Sequence, residues 1–318
     1  MHSIGIDLGG TKAAAAIFAD DGSILQKETA LLEKRRGDEV AILIIEQIHN
    51  LLDRARSQDT TIGAVGISIP GIYYARTGKV WAPNIPGWEA FPLRQRLASA
   101  LSDQDILVTV DSDRAAYILG ESWLGAARGC RDAIFVAVGT GIGAGILIDG
   151  RILRGHGDIA GATGWMALDK PFREEYVSCG CFEYHASGTG LAKVAREYLR
   201  ENPDLNTELS IMKAEEITAH DVFAAYEKGD LLAKNVLDEA IGFWGMAVAN
   251  YVSLFNPEKI IFGGGVFGPA TQFLKQIREE ARKWAQPISF TQVSIEASKL
   301  GSDAGLIGAG RLAFLAMQ

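Results

Sequence analysis

The chain has 318 residues, 48% of them apolar and 22% charged, enough for two domains of about 100–200 residues each with large cores. Its 31 basic and 39 acidic residues leave a net charge of −8, which argues against a nucleic-acid surface, and no run of 18 or more residues is purely apolar, which argues against a membrane partner. Three cysteines, Cys130, Cys179 and Cys181, make no disulfide framework, and a strand that starts almost at the N-terminus leaves no room for a signal peptide, so a cytoplasmic protein is expected.

Residues 4–6 and 13–18 predict a hairpin, and Asp20-Asp21-Gly22 signals the next turn. Over 39–56, Ile42, Ile45, Leu51 and Leu52 recur near helical spacing. A buried strand at 64–69 ends in Pro70-Gly71, and 71–92, rich in Pro, Gly and Trp, predicts an ordered but irregular loop. A short helix over 93–101, a strand over 106–110 and a helix over 114–124 follow. Strands alternating with helices indicate an α/β architecture. The stretch FVAVGTGIGAGILID at 135–149 then repeats the plan of IGIDLGGTKAAAAIF at 4–18: an apolar strand, a Gly and Thr turn, an apolar strand. Helical patterns fill 188–255, a strand at 259–262 runs into Gly263-Gly264-Gly265, and a helix over 273–284, a strand over 293–297 and a helix over 305–317 complete the chain. The repetition predicts two related domains, 1–112 and the larger 113–303, with the helix of 304–318 returning to the first.

A glycine turn between strands brings backbone N–H groups to a ligand with no Cβ in the way, and successive N–H groups form an anion-binding concavity. Two such turns, Gly9-Gly10-Thr11-Lys12 and Gly139-Thr140-Gly141, suggest two halves serving one polyphosphate. Asp7 at the mouth of the first would repel phosphate unless Mg²⁺, through its waters, stands between them; Lys12 adds a positive charge and Thr11 a hydroxyl. Gly264 and Gly265, at a strand's carboxyl end, suit a nucleotide base lying on backbone. Each glycine cluster alone also reads as an ordinary tight turn. Asp111-Ser112-Asp113 sits at a strand end before a helix, where an Asp points into the crevice of an α/β protein and can take a proton from an attacking hydroxyl. The same triplet also reads as a helix cap, with Ser112 or Asp113 accepting from first-turn N–H groups.

Together these stretches resemble the ROK family of sugar kinases and related repressors, within the two-domain actin-like ATPase fold built on a duplicated ribonuclease H-like unit. The resemblance covers nearly the whole chain: IGIDLGGTK at 4–12, GISIPG at 66–71 with APNIPGW at 82–88, SDRAAYILGE at 112–121, GTGIGAGILIDGRILRG at 139–155, GCFEYHASGTG at 180–190 and IIFGGGV at 260–266. It implies ATP and Mg²⁺ as cofactors, Asp113 as the base, a sugar substrate held by Asn84, Ser112, Glu183 and His185, and a homodimer. The family's repressors carry an added N-terminal helix-turn-helix segment, and a phosphate turn starting this early implies none here. Two departures stand out. Where the family has Ala-Gly-Glu-x-Gly-His, this chain reads Ala160-Gly161-Ala162-Thr163-Gly164-Trp165, so a sugar-binding Glu is Ala162 and a zinc-ligating His is Trp165. Of the family's cysteine run, Cys181 alone falls in register. Cys179, Cys181 and either His185 or His156 fall short of a comfortable tetrahedral set, so no zinc is expected. Trp165 can offer its face to an apolar sugar surface or fill the space as core, and core filling is the expectation. The reading is ATP-dependent phosphorylation of a sugar hydroxyl; the alternative is a sensor of the same fold, weakened in catalysis by its altered sugar shell.

Overall fold

The apolar alternation at the N-terminus builds a meander. Strands β1 (His2–Leu8), β2 (Lys12–Phe18) and β3 (Ile24–Leu31) pair antiparallel in sequence. The expectations above contain no strand at β3, because its residues alternate between exposed and half-buried and no buried face shows in the sequence. Helix α1 (Asp38–Ser57) buries Val40, Ile44, Ile48 and Leu51 and crosses over to β4 (Ile62–Ile69), which lies parallel to β1. The segment expected to be irregular contains a small antiparallel hairpin, β5 (Ile72–Tyr74) and β6 (Lys79–Trp81). It is pinned by Trp88, whose fully buried ring stacks on Phe91 at 4.8 Å and whose Nε1 donates to Gly37 O at 2.9 Å. Helix α2 (Leu93–Ala100), strand β7 (Leu107–Ser112), parallel to β4, and helix α3 (Asp113–Leu124) follow. The sheet order is β3-β2-β1-β4-β7.

The second sheet repeats this plan. Strands β8 (Ala133–Val138) and β9 (Ile142–Ile148) form an antiparallel hairpin, and β10 (Arg151–Ile152) edges it. A helical stretch carries α4 (Cys181–Ala186), α5 (Gly188–Glu201), α6 (Ala219–Glu227) and α7 (Leu231–Phe255). Then come β11 (Lys259–Gly263), α8 (Leu274–Trp284), α9 (Pro287–Gln292) and β12 (Ser294–Ala297). Strand β11 lies parallel to β8 and to β12, giving the order β10-β9-β8-β11-β12. Helix α7 is the spine of this core, with Val236, Ile241, Trp244, Val248 and Tyr251 all buried and the Trp244 indole donating to Ala186 O at 3.1 Å.

The C-terminal helix α10 (Ala304–Ala316) packs on β1, β4 and α3. Glycines make that approach possible: a Cβ at Gly66 would stand 2.1 Å from Ala309 O, and one at Gly308 would stand 1.8 Å from Ala116 O. In this computed structural model, which describes all 318 residues, the chain divides into two compact units. Unit one is Met1–Gly129, Ile152–Ala160 and Lys299–Gln318; unit two is Cys130–Arg151 and Gly161–Ser298. The division therefore does not fall after residue 112. The reason is physical: α3 packs on α10 through backbone contacts too close for a side chain, so it stays with the first sheet. No helix is long and apolar enough to cross a membrane. The fold is mixed α/β, two units with the same strand order.

Candidate active site

Unit one gathers its chemistry at the carboxyl ends of its strands. The first turn is closed by Gly9 N donating to Lys12 O at 2.8 Å. It leaves Gly10, Thr11 and Lys12 exposed. The loop after β6 brings Asn84 to this turn, its Cβ 3.5 Å from where a Gly10 Cβ would stand. At the end of β1, Asp7 is half-buried and accepts from Ser68 Oγ, on the adjacent β4, at 2.8 Å. Burial raises the Asp7 carboxyl above its ordinary range; the Ser68 hydrogen bond and the Lys12 charge oppose this, and the Asp303 charge adds to it. Such a group is an anion held at a cost, ready to gain from a cation.

Two strands along, β7 delivers Asp111, Ser112 and Asp113. Ser112 is the cap of α3, its Oγ accepting from Ala115 N at 3.3 Å. The capping alternative is thus realised in Ser112, and Asp113 is left as the first helical residue, accepting from Arg114 N at 2.7 Å. Burial pushes Asp113 up to about 6; Arg114 pulls it down through its charge and its N–H, and the charge of Asp7 pushes it further up. Tyr117, one turn on, is raised by burial and by the charges of Asp113 and Asp7, which places its phenol within their field. The wholly buried Asp111 accepts from Ser112 N at 2.8 Å and pairs with Arg154 at 2.5 Å. On the same segment as Arg154, Asp158 accepts from Ala75 N at 3.0 Å.

Unit two builds a separate cradle. In its turn, Gly139 N donates to Gly141 O at 2.9 Å. The start of α5 docks on that turn: Gly188 N donates to Gly139 O at 2.8 Å and Thr189 Oγ1 to Thr140 O at 2.7 Å, while Ser187 Oγ caps α5 by accepting from Gly190 N at 3.0 Å. A helix N-terminus beside a glycine turn is suited to an anion. Gly264, at φ +90°, lies against Val138, whose carbonyl oxygen would be 2.5 Å from an added Cβ, and Gly265 faces open space, as does Gly139. Gly264 therefore meets the end of β8, immediately before the Gly139 turn.

Glu183 and His185, on α4, behave differently from one another. Glu183 Oε2 accepts from Ile142 N at 2.7 Å and lies 2.5 Å from a would-be Gly141 Cβ, so this carboxylate braces the turn; burial raises it, opposed first by that N–H and then by Lys193. His185 is buried with both ring nitrogens engaged, Nε2 with Tyr176 Oη at 2.7 Å and Nδ1 with Glu239 Oε1 at 2.6 Å, and its ring stacks on Phe243 at 4.3 Å. It is a core residue, and its assignment to the sugar is corrected: no ring atom is left to offer a hydroxyl.

Trp165 is also corrected. Instead of filling the core it is 57% exposed, on the wall of an open cavity of about 850 Å³ shared with Leu168, Phe172, Tyr176 and Val177. Beside it, a separate network ties the segment to the core. Tyr176 is buried and bonded to His185, and Arg173 pairs with Glu197 at 2.8 Å with its guanidinium 4.8 Å over the Tyr184 ring. These contacts hold the 166–182 segment. Cys181 is buried in the core, and the half-buried Cys179 points its Sγ to Gly180 O at 3.7 Å.

The donors of unit one fit phosphate and a hydrated divalent cation: one half-buried carboxylate, an open glycine turn, an exposed ammonium. No group of three or more His, Cys, Asp and Glu side chains stands ready to ligate a metal directly. Mg²⁺ keeps several waters and binds through one or two carboxylates plus substrate phosphates, and Asp7 is the residue that would hold it. Ser68, Tyr117, Arg154, Thr189 and Gly305 were not singled out from sequence. Ser68, Tyr117, Arg154 and Thr189 lie inside quoted motifs, but nothing in one sequence says which strand pairs beside Asp7 or which helix docks on Thr140.

The ROK family model matches residues 3–315. A glucokinase of Halalkalibacterium halodurans is 34% identical over 97% of this chain and 94% of its own length, and a xylose repressor of Caldicellulosiruptor bescii is 30% identical over 96% of this chain and 76% of its own. Among solved structures, the ROK hexokinase from Thermus thermophilus superposes with a TM-score of 0.81 at 29% identity, covering 100% of this chain and 99% of the other. A ROK glucokinase from Streptomyces griseus, in complex with glucose and AMPPNP, superposes with a TM-score of 0.73 at 28% identity, covering 99% and 100%. A family match over nearly the full length, repeated strand order and glycine turns in both units lead to one conclusion: the chain belongs to the ROK family, with the actin-like ATPase fold of its structural neighbours.

Proposed function

We propose that the protein is an ATP-dependent carbohydrate kinase acting on a hydroxyl of a hexose or hexose derivative. The observation that carries this reading is Asp113: a carboxylate at the start of α3, with its pKa pushed up to about 6, in the field of Asp7 at the phosphate turn. A base poised near the working pH is what proton transfer from an alcohol requires. Phosphoryl transfer otherwise asks for positioning and charge stabilisation. The sugar oxygen attacks the terminal phosphorus, its proton passes to Asp113 Oδ, and the bond to the bridging oxygen of ADP breaks. Lys12 and the N–H groups of the first turn neutralise and orient phosphate oxygens, and Gly139-Thr140-Gly141 with the α5 N-terminus offers the same chemistry in unit two. Mg²⁺, when bound with the nucleotide, screens the phosphate charge that Asp7 would otherwise repel. In unit one, Asn84 and Ser112 supply polar groups for the sugar; in unit two, Glu183 on its turn is the acidic group of the same reading.

Ala162 removes a charged acceptor. A hydrogen bond to a charged group is worth about 1.5–3 kcal/mol, so a glucose-like pose is weakened roughly ten- to a hundredfold and a different hexose or derivative is favoured. The test is coupled ADP release across hexoses, amino sugars and polyols. Turnover on one of them, abolished in Asp113→Ala with sugar binding retained, supports the kinase. Saturable sugar binding without ADP release on any member would instead favour a sensor, the reading that Ala162 and the exposed Trp165 support.

A further inference from the structure

Helix α10 carries a glycine in its first turn, where glycine is a poor choice: in a helix it costs about 1 kcal/mol relative to alanine. The surroundings of Gly305 explain its presence. An added Cβ would stand 2.6 Å from both carboxylate oxygens of Asp7 and 2.7 Å from its Cγ. The other two glycines of α10 meet packed structure, Gly308 the Ala116 carbonyl at 1.8 Å and Gly310 the buried Phe18 ring at 2.6 Å. Gly305 meets the movable end of one side chain. The carboxylate is therefore seated flat against the bare Cα of α10, with Ser68 Oγ holding Oδ1 from the strand side at 2.8 Å.

The seat is itself anchored. The fully buried Glu121 accepts from Lys299 N at 3.2 Å and Leu300 N at 3.3 Å, just before α10, and from Ala126 N at 2.6 Å. Asp303, which precedes the helix, pairs with Lys27 on β3 at 2.8 Å. We propose that Gly305 is a positioning residue for phosphoryl transfer: the absence of its side chain, on a helix start fixed by Glu121 and Lys27, sets the orientation of the Asp7 carboxylate at the phosphate turn. A methyl group there displaces the carboxylate and leaves the backbone in place. The consequence for catalysis rests on the kinase reading.

The experiment is a double-mutant cycle of Gly305→Ala and Asp7→Ala, with Gly308→Ala as the packing control. Gly305→Ala is expected to keep or raise the melting temperature, to lose about 10- to 100-fold in kcat/KM for Mg·ATP, as an ångström of misplacement does, and to leave the sugar KM unchanged. In the Asp7→Ala background it costs nothing further, because its effect runs through that carboxylate. Calorimetric binding of a non-hydrolysable ATP analogue with Mg²⁺ reads the same cycle without turnover, with at least tenfold weaker binding expected in Gly305→Ala. A parent that binds the analogue but transfers no phosphate would refute the kinase reading and leave this cycle intact. The proposal is overturned if Gly305→Ala binds and turns over like the parent, if its loss persists undiminished without Asp7, or if it melts as early as Gly308→Ala, since the backbone and not the carboxylate would then have yielded.

Discussion

The raised pKa of Asp113 has a thermodynamic counterpart. Its carboxyl moves from its ordinary 3.8 to about 6 on folding, and each step of one in pKa is worth about 1.36 kcal/mol. The sign follows from proton counts. Between these two values the folded protein holds a proton at Asp113 that the unfolded chain has released, so stability falls as pH rises through this window. Below 3.8 the group is protonated in both states and costs nothing; above 6 the full penalty is present. Linkage gives about 3 kcal/mol, and because Asp113 is only half-buried solvent screening brings this to about 2 kcal/mol. Asp113→Asn keeps the shape and removes the charge. It should therefore be more stable than the parent by about 2 kcal/mol at pH 7.5 and equal to it near pH 3.5, while losing about 10²–10⁴ in kcat with the base gone. Urea unfolding at a series of pH values measures the first effect and ADP release the second. An equal or lower stability of Asp113→Asn at pH 7.5, or a difference that does not vary with pH, would show that this carboxylate is not held at a cost and would remove the argument for it as the base.

Three further outcomes follow from the geometry. Trp165→Ala should change stability by less than about 1 kcal/mol in denaturant unfolding, as exposed positions do, whereas a core tryptophan would cost about 3–5 kcal/mol. His185→Phe keeps the stack on Phe243 but strands the Tyr176 hydroxyl and one Glu239 oxygen; it should lower stability by about 1–3 kcal/mol, with the sugar KM unchanged in a steady-state assay. Glu121→Ala removes the acceptor for three backbone N–H groups, and its thermal midpoint should fall by the equivalent of about 3 kcal/mol or more.

Much of this protein is local and therefore written in its sequence. The two strand–glycine turn–strand repeats are short-range patterns, and so are the apolar runs that became β1, β4, β8 and β11 and the polar triplet that split into a cap, Ser112, and a carboxylate, Asp113. What the tertiary structure decided is everything that depends on which distant segment arrives beside a residue. Helix α3 belongs to unit one because α10 lies on it with no room for side chains. Strand β3 forms on a sheet edge where its own residues show no buried face. His185 and Trp165 departed from their expected places because burial is a property of neighbours: Tyr176, Glu239 and Phe243 close over the histidine, while the tryptophan is left exposed. Gly305 meets the carboxylate of Asp7, near the other end of the chain, and no local pattern connects the two.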